Sequence, residues 1–166
     1  MDIITLLLFA SLEIYANQFC LLGDHELDLP PPEIYYTSCR QVIKVSILHG
    51  VDPDISWGVA YKESRFVPEL VSKKGARGLM QATSMWCRNR EANGCHWVAA
   101  GLNALVRNRY KCIKYSARNR CLRRKDIGWR KALCYYACGK KCYKKGLDYA
   151  DEVLEIRKKY KEGNFL

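Results

Sequence analysis

A mostly α-helical, disulfide-stabilised domain is the fold class this sequence predicts. Three observations carry the prediction. Apolar residues recur three and four apart in one stretch after another, no stretch alternates in the manner of a strand, and nine cysteines are spread over 166 residues. A chain of that length fills one domain with a real core, not two. Neither an internal repeat nor a dinucleotide- or phosphate-binding loop interrupts the pattern.

Residues 1–16 read as an export signal. Ile3 to Leu12 is an apolar run, short of a comfortable bilayer span, and Ala16 offers a small residue before a cut. Asp2 and the lack of Lys or Arg ahead of the run leave an uncleaved N-terminal anchor as the alternative. No stable membrane span is expected. Residues 17–36, with Leu29-Pro30-Pro31-Pro32-Glu33, read as an extended Pro-rich leader, and residues 37–166 as the folded domain.

Cys39 to His49 carries Val42, Ile43, Ile47 and Leu48 at helical spacing and stops at Gly50. The next helix has Asp52 as its N-cap and Pro53 at the first position, where a missing N–H costs nothing. Ile55, Val59 and Glu63 then fall at i, i+4 and i+8, with Phe66 three residues on. A carboxylate thus stands where the pattern asks for an inward apolar residue. It also stands near the C-terminal end, where the helix dipole disfavours an anion. Both effects push a carboxyl pKa upward, which suits a general acid. Glu63 is the candidate catalytic residue.

Pro68 is expected to stop this helix, and Gly75 and Gly78 to bracket a turn where backbone approaches a neighbour or ligand closely. A helix from about Leu79 to Asn89 and a turn at Asn93-Gly94 follow. Val98, Leu102, Leu105, Val106 and Tyr110 then mark a long amphipathic helix from His96 to Lys114 with a basic outer face. Arg118 to Lys125 reads as a loop. Asp126 caps a helix that Gly139 ends, and a last helix runs from about Leu147 to Lys161.

The cysteines would be out of place in a reducing cytosol unless they bound metal. No Cys-x-x-Cys occurs and the three histidines are scattered, so disulfides are favoured over zinc and no metal is expected. Short loops favour Cys87–Cys95 and Cys112–Cys121. Cys134, Cys138 and Cys142 are spaced by four, so at least two of them are expected to tie to other elements. The formal charge is +11, and loss of residues 1–16 would leave 28 basic against 15 acidic residues, or +13. From Arg107 to Lys125 there is no acid at all. Such a surface is drawn to polyanions. For an exported protein the expected polyanion is the cell wall rather than nucleic acid, although Tyr110 and Tyr115 among the arginines could stack on bases.

The order Glu63-Ser64, Ser72, Gly75-Ala76-Arg77-Gly78-Leu79-Met80-Gln81 closely resembles the catalytic signature of the soluble lytic transglycosylase family, which is related to goose-type lysozyme. The likeness continues from Cys39 to about Tyr160. Trp97-Val98-Ala99-Ala100-Gly101 with Leu105 looks like the family's Asn-Ile-x-x-Gly helix, with Trp97 in the place of the Asn and Ala104 in that of a following Tyr. Leu133-Cys134-Tyr135-Tyr136-Ala137-Cys138-Gly139 looks like Leu-Ala-Ala-Tyr-Asn-Ala-Gly, with Ala137 replacing the Asn.

The resemblance implies a lysozyme-like helical domain, with no cofactor, that cleaves the β-1,4 bond between N-acetylmuramic acid and N-acetylglucosamine in peptidoglycan. Glu63 would act as the single acid and base and form a 1,6-anhydro product. Tyr136 would hydrogen-bond Glu63, and Ser72, Met80 and Gln81 would line the sugar groove. Ser64 would hold the helix end. A second carboxylate placed like a lysozyme partner is missing: Glu69 follows Pro68, and Asp52 and Asp54 lie at the far end of the helix. The competing functions are a hydrolytic lysozyme and a non-catalytic basic wall-binding protein. Small exported transglycosylases of this kind serve secretion machines, conjugation systems or phage entry, so glycan strands and such machinery are the expected partners, in the periplasm, cell envelope or medium.

Overall fold

A computed structural model describes residues 2–21, 29–87, 95–115, 125–139, 142 and 144–162, with backbone alone at 111–115, 125–127 and 160–162. The described residues include six α-helices: α1 (Ile3–Leu21), α2 (Pro32–Leu48), α3 (Pro53–Ser64), α4 (Trp97–Tyr115), α5 (Lys125–Cys138) and α6 (Lys144–Glu162). Helix α1 packs on α2, α2 on α3 and α4, α3 on α6, and α4 and α6 on α5. No named strand occurs among the described residues, and the fold class is the mostly helical one the periodicity predicts.

Helix α3 sits at the centre of this arrangement. Its N-cap is Asp52, whose side chain accepts from the Asp54 N–H at 3.1 Å, and Pro53 occupies the first helical position. Ile55, Trp57, Val59 and Ala60 are fully buried, as is Phe66 just beyond the helix. Each large apolar side chain buried this way adds about 1.5–3 kcal/mol of transfer free energy. Tyr35 links three elements: its hydroxyl donates to the Cys20 carbonyl and accepts from Trp57 Nε1, both at 3.2 Å, and its ring meets Phe66 edge-on at 5.1 Å.

Helix α6 lies antiparallel along α3. Arg157 reaches Asp52 at 2.7 Å and Asp54 at 3.8 Å at one end, and Lys62 pairs with Glu152 at the other. Between them Gly58 makes room, since a Cβ there would lie 3.2 Å from both Val153 Cγ1 and its carbonyl oxygen.

Several expectations change. Helix α3 ends at Ser64 because Arg65 and Phe66 take positive φ values of 51° and 62°, before Pro68 can act. No α-helix forms over residues 79–87. Gly78 (φ 73°) and Gln81 (φ 45°) turn the backbone, Arg77 bridges to both Val71 and Ala82, and only a 3-10 turn at Ser84–Trp86 follows. Residues 17–36 are not an extended leader where described: 17–21 complete α1, and Pro32 opens α2, a position that suits proline's fixed φ. The apolar N-terminal helix is therefore 19 residues long, with mean hydropathy 1.5, which meets the length and composition of a bilayer span.

Disulfides join Cys20 to Cys39, Cys87 to Cys95 and Cys134 to Cys142, and Cys138 is free and exposed. The Cys87–Cys95 pair is the one its short loop favoured. Cys134 bonds Cys142 rather than a distant element, α5 having stopped at Gly139 (φ 66°). The Cys112–Cys121 pair and the loop around Arg118 lie outside the described side chains.

Candidate active site

Glu63 is partly buried in the last turn of α3. Its carboxyl pKa is raised above the ordinary value of 4.5, chiefly by burial, with the Tyr149 hydroxyl and the Lys62 charge pulling it back in part. Tyr149, on α6, has a buried hydroxyl without a formed hydrogen bond. It stands close enough to the carboxyl to influence it, but outside good hydrogen-bond geometry. Tyr136, on α5, is also within the field of Glu63. Both phenols are held well above the usual range, by burial first and by the Glu63 charge second. A partly buried acid thus acts on two buried phenolic hydroxyls.

Tyr136 does not give its hydrogen bond to Glu63, as the resemblance implied. Its hydroxyl donates to the Met80 carbonyl. That contact exists because Gly101 of α4 has no side chain: a Cβ there would overlap Met80 Cβ and come within 3.0 Å of the Tyr136 hydroxyl oxygen. Met80 itself is fully buried. Ser64 fixes the loop from the other side, its hydroxyl lying 3.0 Å from the Ala60 carbonyl and 2.9 Å from the Leu79 carbonyl. Glu63, Tyr136 and Met80 are therefore brought together through α3, α5 and the Gly78–Gln81 turn.

Ser72 and Gln81 have polar groups engaged within the loop. The Ser72 hydroxyl accepts from the Ala76 N–H at 3.0 Å, closing the turn that contains Gly75 at φ 79°. Gln81 donates its amide to the carbonyls of Leu70, at 2.9 Å, and Gly78, at 3.0 Å. Both residues keep partial exposure. Tyr149 is the neighbour that the sequence reading passed over. Tyr149, Val153 and Ile156 share one face at i, i+4 and i+7, and that face packs on α3, which is the signal that could have found it.

No carboxylate figures among the groups acting on Glu63. Asp52 and Asp54 are held by Arg157 at the opposite end of α3, about 13 Å or more away at 1.5 Å per residue. Glu69 is exposed in the loop after Pro68, and Glu152 pairs with Lys62. No group of three or more His, Cys, Asp or Glu able to hold a metal occurs among the described residues.

Fold and disulfides together define a mostly helical, disulfide-stabilised domain, and the family match that follows makes it a lysozyme-like one. The chain belongs to the transglycosylase SLT domain family, whose profile matches residues 42–157, from α2 to Arg157 of α6. That family is of lytic transglycosylase type and acts on peptidoglycan. No curated protein and no solved structure matches the chain significantly.

Proposed function

We propose that the protein is a peptidoglycan lytic transglycosylase that cleaves the MurNAc-β-1,4-GlcNAc bond with Glu63 as its single acid and base. The observation that carries this reading is one partly buried carboxyl, raised in pKa, on which no second acid acts among the described residues. Glycosidases that hydrolyse with two carboxylates keep them about 5–5.5 Å apart when retaining and about 6.5–9.5 Å apart when inverting. Asp54, about 13 Å along the helix, fits neither spacing.

A lone acid suffices when the nucleophile belongs to the substrate. Protonated Glu63 gives its proton to the glycosidic oxygen as the bond to C1 of the muramic sugar breaks. The resulting carboxylate takes the proton of the C6 hydroxyl, whose oxygen closes on C1 to form the 1,6-anhydro ring. Acid is regenerated and water is not consumed. Burial raises the carboxyl pKa, which favours the protonated form the first step needs, and the phenols of Tyr136 and Tyr149 lie within the field of the carboxylate formed after it. Ser72, Gln81 and Tyr136, which keep partial exposure, line the approach as sugar contacts in this reading, whereas Met80, expected there from the sequence, is fully buried.

Substrate and disulfides both support a location outside the cytosol, with the apolar α1 serving as export signal or retained anchor. The test is mass spectrometry of peptidoglycan digested with purified protein. Anhydro-ended fragments are expected from the parent, and at least a hundredfold fewer from Glu63→Gln with its fold intact, in keeping with loss of a general acid–base group. Reducing ends would assign a hydrolase instead, and undigested strands a wall-binding protein.

A further inference from the structure

Apart from the residues around Glu63, a second apolar cluster gathers Ala82, Cys87 and Ala100, with Trp86, Trp97 and Cys95 packed partly exposed against it. The Cys87–Cys95 disulfide pins it. Each indole lies near a guanidinium: Arg77 is 5.9 Å from the Trp97 ring centre, and Arg107 is 5.7 Å from that of Trp86. Both arginines are exposed, and neither has a carboxylate partner among the described residues.

This surface adjoins the candidate acid. Trp97 opens α4 one turn before Gly101, about 6 Å along the helix. Gly101 abuts Met80 and the Tyr136 hydroxyl, and Tyr136 lies in the field of Glu63. On its other side Trp97 presses on the loop that carries Arg77. A Cβ on Gly78 would come within 2.9 Å of Trp97 Cβ, so glycine lets the loop seat there at φ 73°.

We propose that Trp97 and Arg77 form a subsite beside Glu63 for a carboxylate-bearing amino sugar of the wall strand. The inference rests on the glycan-cleaving reading above. The apolar face of a pyranose ring lies on the indole, and the guanidinium fork pairs with a carboxylate of the lactyl-peptide substituent. Position 97, where the transglycosylase pattern has Asn, thus holds a stacking surface in place of an amide. The chain's positive charge complements an anionic strand, and the pairing with Arg77 selects strands whose carboxylates are free.

Binding separates this subsite from catalysis. Soluble peptidoglycan strands are titrated into Glu63→Gln protein, which leaves them whole, and the bound fraction is read by sedimentation. In that background Trp97→Ala is expected to weaken binding about tenfold, and Trp97→Phe, which keeps a stacking ring and the fold, about two- to threefold. Arg77→Gln is expected to weaken binding about fivefold to native strands and not to strands whose carboxylates have been amidated. Circular dichroism and Tm confirm that each variant is folded. Unchanged binding by folded Trp97→Ala and Arg77→Gln overturns the subsite while leaving the wall-cleaving reading in place. Displacement of the strands by an equal concentration of single-stranded oligodeoxynucleotide assigns the surface to nucleic acid and also overturns it. If Glu63→Gln binds no strand and the parent releases no anhydro sugar, both readings fall together.

Discussion

Ionising Glu63 where it sits costs hydration that Tyr149 and Lys62 only partly return. An acid whose pKa is higher folded than unfolded adds stability in its protonated form. Its contribution is fully present below the unfolded value, near 4.5, and is lost as pH rises through the raised folded pKa. Glu63→Gln keeps the shape without the charge. Thermal melts of the two proteins are therefore expected to converge at acid pH and diverge towards neutrality, with the variant the more stable. Tyr149→Phe removes the hydroxyl that holds the carboxyl down. It is expected to shift the alkaline limb of the lysis profile to higher pH, read from initial rates against pH.

The elements carry that residue through two close approaches and one tie. Gly101 lets α4 touch Met80 and Tyr136, Gly58 lets α6 touch α3, and Ser64 bonds the helix end to Leu79. Gly101→Ala is expected to destabilise the protein by about 1–3 kcal/mol, because an extra methyl must displace Met80 or the tyrosine hydroxyl. Denaturant melts read the first effect. Lysis rates read the second, a fall larger than the stability loss explains, since Tyr136 moves with the clash. Helix α3 was legible from sequence down to its cap, because Asp52, Pro53 and the i, i+4 apolar positions are all local signals. The helix expected from Leu79 was not formed. Leu79, Met80 and Ala82 are apolar enough for one, yet Gln81 sits at positive φ, held by amide bonds to Leu70 and Gly78 that no periodicity encodes.

Across the whole molecule the site is a meeting of distant residues. Glu63 was readable as an acid on an apolar face, but its neighbourhood was not. Tyr149 reaches it only through the packing of α6 on α3, and the Tyr136 hydrogen bond goes to a main-chain carbonyl, whose position depends on a glycine in a third helix. Charge, by contrast, is legible from composition alone. With a formal charge of +11, association with intact cell walls is expected to weaken as salt rises from about 0.05 to 0.5 M, because screening shortens to a few ångströms. Pelleting with walls across a salt series measures it. A flat response would mean that contact geometry rather than charge retains the protein there.

The ion pairs at both ends of α3 have a practical consequence for anyone shortening this chain. Arg157 and Glu152 clamp α3 from the far end of the polypeptide, and the same helix presses Tyr149 towards the acid. A version cut after Gly139 would keep Glu63, the glycine-rich turn and Tyr136, yet lose the splint that holds them in register. Such a fragment would carry every residue of the recognisable motif and still lack the helix that seats Tyr149 beside the acid.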